Sequence, residues 1–121
     1  GERDGPALRA ALTAHADVRE VALCTYALPA HGVGLYAFVE TGLDMAALRR
    51  LAPEPQPDLI QPVTALPRHP DGTPRLDALS LVAANRLDEV QALMTREPDL
   101  ATALRPIVAG RLNLTDRVLK R

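Results

Sequence analysis

Rings are scarce in this sequence. Tyr26, Tyr36 and Phe38 make up the 2% aromatic share of 121 residues, and tryptophan is absent. A core must therefore be aliphatic, and 20 Ala and 20 Leu are available to build it. So few rings argue against an aromatic platform for stacking single-stranded nucleic acid. The single cysteine, Cys24, excludes an internal disulfide and any multi-cysteine metal site. It suits a reducing compartment, and with no export signal in view the expected location is cytoplasmic. No apolar run approaches the roughly 20 residues that cross a bilayer, so no membrane span is expected. Cations are not in excess either: 14 face 15 acidic residues, for a formal net charge of −1. That removes the usual electrostatic case for a nucleic-acid partner. Lysine is the scarcest of the charged types, with Lys120 alone beside thirteen Arg. The chain opens on Gly1 rather than Met, as expected of a processed chain or a piece of a longer one.

What is present is ordinary for a globular domain: 47% hydrophobic and 24% charged residues, enough for one core without staples. Asp4 is placed to cap a helix over about residues 6–15, with Pro6 in its first turn and Leu8, Ala11, Leu12 and His15 on one face. Residues 18–28 and 33–40 read as strands joined by Pro29-Ala30-His31-Gly32, a loop of hairpin length, so the two should pair antiparallel. Asp44 then caps a short helix carrying Met45, Leu48 and Leu51. Pro53, Pro55 and Pro57 end it and hold the next segment extended. Residues 59–66 read as a third strand, and Pro62, with no amide to donate, sends it to a sheet edge or to a bulge. After a turn-rich loop at 67–75, Asp77 is expected to cap a helix running to about Asn85. Three amphipathic stretches come next, each preceded by a capping residue: Asp88, Asp99 and Asn113. Pro98 separates two of them, and Pro106 should kink or start another. The expected fold is α+β, a small three-stranded, mainly antiparallel sheet packed with helices. Residues 1–86 form that domain, and 87–121 form an all-helical extension.

General constellations for chemistry are missing. His15, His31 and His69 lack metal-ligand spacing, and Cys24 sits mid-strand as a small core residue rather than a nucleophile. The glycines make neither a dinucleotide fingerprint nor a phosphate loop, and no G-x-S-x-G occurs. The informative segment is Pro67-Arg-His-Pro-Asp-Gly-Thr-Pro-Arg75. As a surface turn it needs only Asp71-Gly72. As an anion-binding loop it would use Arg68 and Arg75 as bidentate donors. Spacing alone leaves both readings open.

The stretch from Leu66 to Leu79 resembles the closing motif of the adenylate-forming enzymes: acyl- and aryl-CoA synthetases, adenylation domains and luciferases. Leu66, Pro67, Arg68, Gly72 and Asp77 match by position, Leu79 matches the apolar end, and Arg75 stands close to the basic positions after the glycine. Further pieces occur in the right order. His15-Ala-Asp-Val-Arg-Glu-Val-Ala-Leu23 is similar to an upstream stretch of the family, Val33 to Val39 to its second strand, and Asp44 to Leu51 to its short helix. Gly1-Glu-Arg3 with Pro6 resembles the segment before the first helix. The likeness spans residues 1 to about 86.

The resemblance implies the small C-terminal lid of such an enzyme, which rotates against a large N-terminal domain of the same chain. That domain would bind ATP with magnesium and the carboxylic acid, so the lid alone would hold no cofactor. The product, an acyl-adenylate, would pass its acyl group to coenzyme A or to a carrier-protein thiol. The resemblance also implies a lysine directly after the motif glycine, where it stabilises negative charge as the carboxylate attacks the α-phosphate. Here Gly72 is followed by Thr73. Thr73 and Arg75 are thus the candidate catalytic positions, with Arg68 and Gly72 shaping the motif loop, and adenylation is expected to be impaired. A second reading keeps the lid fold but makes it a non-catalytic interaction module. It would bind a carrier protein or partner subunit through the helical tail, with Leu112, Leu114, Val118 and Leu119 as docking residues.

Overall fold

A computed structural model describes residues 5–28, 32–53, 57 and 59–111. The elements run α1 (Gly5–Thr13), β1 (Val18–Leu28), β2 (Gly32–Thr41), α2 (Met45–Leu51), β3 (Leu59–Val63), α3 (Leu76–Ala83), α4 (Leu87–Arg96) and α5 (Pro98–Ala109). The fold is α+β around one three-stranded sheet in the order β1-β2-β3. β1 and β2 pair antiparallel from Val18↔Thr41 to Leu28↔Gly32, the longer of the two ladders. β3 joins β2 in parallel, from Tyr36↔Leu59 to Glu40↔Val63, after the crossover through α2. Pro62 stands opposite Val39 on an edge strand, where its missing N–H can face away from the ladder.

β2 explains why Val33–Glu40 reads as a nearly unbroken apolar run rather than an alternation. Both faces of the sheet are covered, so successive residues along the strand meet a core on either side. Leu35, Ala37 and Val39 pack with Leu8 and Leu12 of α1, Leu48 of α2 and Ile60. Tyr36 and Phe38 point the other way, into a cluster with Ala22, Cys24, Val63, Leu79, Val82, Val90, Leu93, Leu104 and Ile107. The rings concentrate there: Tyr36 stacks on Phe38 at 4.2 Å between centroids and meets Tyr26 edge-on at 6.4 Å. Tyr26 lies across Gly34, its cross-strand partner, where an added Cβ would come within 2.6 Å of the ring.

The second cluster contains residues from both α4 and α5, so the segment 87–111 helps to bury the sheet. A buried polar relay ties it down. The Tyr36 hydroxyl donates to Gln61 Oε1 at 2.5 Å, and Gln61 Nε2 donates to the Ile107 carbonyl at 3.1 Å. Gln61 is 4% exposed, so both bonds form where water does not compete.

Helix starts differ in part from expectation. Asp44 does cap α2, accepting the Ala47 N–H at 2.8 Å. Asp77 is not a cap. Arg75 holds the cap position of α3 without a side-chain cap bond, and Asp77 lies in the first turn with its carboxylate taken by that arginine. Asp88 and Asp99 likewise fall in the first turns of α4 and α5, behind Arg86 and Glu97. There they still oppose the positive end of each helix dipole. Pro98 opens α5, and Pro106 lies inside it while the helix continues to Ala109. α3 gives way to Asn85, whose φ of 58° lets Arg86 N–H reach back to Leu81 O at 2.9 Å. The expected cap Asp4, the loop Pro29-Ala30-His31, Pro55 and the stretch after Asn113 lie outside the described residues.

Candidate functional site

The loop between β3 and α3 is a short closed turn on the surface. Leu66 and Pro67 enter it buried, and residues 68–73 are exposed. An isolated antiparallel bridge joins Arg68 to Pro74. Within it His69 N–H donates to Thr73 O at 2.8 Å, and Gly72 N–H to His69 O at 2.9 Å. At its base Arg75 N–H donates to Pro67 O at 2.8 Å. Gly72 has a φ of +94°, and nothing lies within 4 Å of a Cβ built there. Its requirement is thus conformational and not steric.

Thr73 sits at the turn. Its hydroxyl donates to Asp71 Oδ1 at 2.7 Å, and its backbone N–H reaches the same oxygen at 2.9 Å. These two bonds hold the Asp71 carboxyl below its usual range.

The two arginines leave the loop toward different neighbours. Arg68 turns back to the sheet, bonding Glu40 Oε1 at 2.9 Å, Glu20 Oε1 at 3.3 Å and the Gly72 carbonyl at 2.8 Å. Glu40 also accepts from Arg19 Nε at 3.1 Å and from Leu66 N–H at 3.0 Å. Partial burial would push the Glu40 carboxyl up, but these donors outweigh it and hold the group low.

Arg75 forms the denser cluster. Its Nε and Nη2 donate to the two oxygens of Asp77 at 3.0 and 2.8 Å. Nη1 and Nη2 donate to Glu97 at 2.9 and 3.3 Å. The Arg75 side chain is 13% exposed. Its hydrogen bonds pull Asp77 down to about 2 and lower Glu97 as well. Beside this cluster a groove of about 490 Å³ opens between the loop and the start of α5, lined by Pro67, His69, Arg75, Glu97, Asp99 and Leu100.

The structure therefore brings Arg68, Gly72, Thr73 and Arg75 into one turn, as their spacing predicts. It also engages both guanidinium forks with carboxylates. Spacing could not reveal those partners: Glu40 and Glu97 lie 28 and 22 residues from the arginines they hold. Of the other residues singled out, Cys24 is buried beside Ser80, and burial pushes its thiol up, as befits a core residue. His15 Nδ1 accepts the Asp17 N–H at 3.0 Å. Among the described residues no group of three or more His, Cys, Asp or Glu could hold a metal ion. None of their helices is long and apolar enough to cross a membrane. His31, Leu112, Leu114, Val118, Leu119 and Lys120 lie outside the described residues.

No family model matches the sequence, and neither does any curated protein. Solved structures do match. The amide bond synthetase McbA of Marinactinospora thermotolerans aligns with a TM-score of 0.51 at 26% identity, over 60% of this chain and 17% of that one. A lysine-to-alanine variant of the same enzyme gives 0.50 at 26%, over 60% and 16%. An acyl-CoA synthetase of Brucella canis gives 0.52 at 25%, over 75% and 18%. Both enzymes are adenylate-forming, and each shares fold and sequence with this domain over a small part of its length. In fold and at 25–26% identity, this chain is similar to the C-terminal, lid-like region of adenylate-forming enzymes. The matched region spans only 16–18% of the length of those solved chains. The segment whose sequence resembles the family motif is the exposed turn between β3 and α3.

Proposed function

We propose that this lid serves an AMP-forming ligase acting on an acyl or aryl acid, and that it is impaired in the adenylating half-reaction. ATP, its magnesium and the acid are held by a large N-terminal domain of the same chain, and the lid is inactive by itself. The activated acyl group goes to a thiol, either coenzyme A or a carrier protein. The observation that carries the reading is the state of the loop. Thr73 is neutral and donates its hydroxyl to Asp71, while the flanking arginines are each held by two carboxylates. Charge developing at an α-phosphate is stabilised by a cation that is already in place and already desolvated. Arg75 could serve only by leaving its charge-assisted bonds to Asp77 and Glu97. Arg68 would have to leave the strand carboxylates in the same way.

The test joins the chain to its natural upstream sequence and follows acid-dependent pyrophosphate exchange. Exchange should be slow, and Thr73→Lys should raise it by about 10²–10³-fold, the usual worth of one such stabiliser. Fast exchange that gains nothing from the substitution contradicts the proposal.

A further inference from the structure

Glu97 belongs neither to the motif loop nor to the helix that comes after it. It stands between α4 and α5, in the tail. Yet its carboxylate takes one side of the Arg75 fork, and Asp77 takes the other. Arg75 in turn is the residue on which the loop closes. Its N–H binds Pro67 O at 2.8 Å, and its carbonyl accepts Leu79 N–H at 3.0 Å in the first turn of α3. Asp77 moves with Arg75, since the two are near neighbours at one helix start. Glu97 does not, because its backbone is set by the packing of Val90, Leu93, Leu100 and Leu104 on the sheet. Of the two carboxylates on the fork, Glu97 is therefore the one that ties the loop to a separate rigid element. A planar five-donor guanidinium is well suited to such a strut, because it fixes orientation as well as distance.

We propose that Glu97 is a positioning residue of the lid: through Arg75 it holds the loop that carries position 73 in a single orientation toward the large domain. This rests on the reading of the domain as a lid. Residues 87–111 then act as a brace for the loop as well as a cover for the sheet. The Glu97 side chain is 42% exposed, so removing its charge leaves the core intact and releases the loop.

Two measurements test this with Glu97→Gln and Glu97→Asp. In the 121-residue chain, Glu97→Gln should speed amide exchange at His69 and Arg75, the loop-closing donors, by about tenfold, a loss on the scale of one charge-assisted bond. The β2 amides should stay unchanged, and Glu97→Asp should restore protection in part. In the joined protein carrying Thr73→Lys, Glu97→Gln should lower kcat for exchange about tenfold at unchanged KM for the acid, as a misplaced reacting group does. Loop amides that keep their protection, or that loosen only in step with β2, overturn the brace. Loosened amides with unchanged kcat overturn the positioning role. If the joined protein shows no exchange even with Thr73→Lys, the lid reading falls, and the amide measurement still decides whether Glu97 orders the loop.

Discussion

Arg75 shows how one side chain can be present in a motif and yet be occupied. Its fork meets Asp77 and Glu97 at four distances between 2.8 and 3.3 Å. The partners are half-exposed, so solvent screens the cluster and its contribution to stability is modest. Its pH dependence has a definite sign. Asp77 is lowered from 3.8 to about 2 by Arg75, so its contribution is complete above about pH 4 and is lost as pH falls toward 2. Arg75→Met should therefore unfold more easily than the wild type at neutral pH, with the difference narrowing between pH 4 and pH 2. Urea unfolding at a series of pH values checks it, and a difference independent of pH in that range counts against the ion cluster. Gly72 gives a second residue-scale prediction. At φ +94° a Cβ is strained whatever space surrounds it. Gly72→Ala should therefore cost about 1–2 kcal/mol of stability, read from the shift in thermal midpoint, although nothing crowds the site.

At the scale of elements, the tail is set by what it covers. α5 places Leu100, Leu104 and Ile107 against the face that holds Tyr36 and Phe38, and Gln61 links that face to the Ile107 carbonyl. Leu104 is fully buried, so Leu104→Ala should cost about 2–5 kcal/mol by calorimetry or denaturant melts. Deleting 87–121 should expose the two stacked rings and give a chain that binds hydrophobic dye and loses near-ultraviolet ellipticity. A truncated chain as stable as the original would show that the tail only rests on the sheet. Much of this level was legible in the sequence. Turn residues and β-branched runs give the strand pair, Asp44 gives the start of α2, and Pro62 sends β3 to an edge. The starts of α3, α4 and α5 were less legible, because an aspartate's capping preference was overridden. At Asp77 a nearby guanidinium competed for the carboxylate, and at Asp99 Pro98 had already opened the helix. The parallel sense of β3 rests on how α2 crosses over the sheet, which no local pattern encodes. The ion pairs of the motif loop were hidden for the same reason, since Glu20, Glu40 and Glu97 reach the loop only through the tertiary fold.

For the whole molecule, the charge around the motif loop runs opposite to what a phosphate site needs. Arg19, Arg68 and Arg75 face Glu20, Glu40, Asp71, Asp77, Glu97 and Asp99 across the loop and its groove. The turn keeps a fixed shape, with the guanidinium groups of Arg68 and Arg75 already paired with carboxylates. Pyrophosphate exchange by the chain joined to its natural upstream sequence, measured with and without Thr73→Lys, is the most direct test. The account predicts slow exchange that the lysine raises by about 10²-fold or more. Exchange that is already fast, and that the lysine leaves where it was, would contradict it.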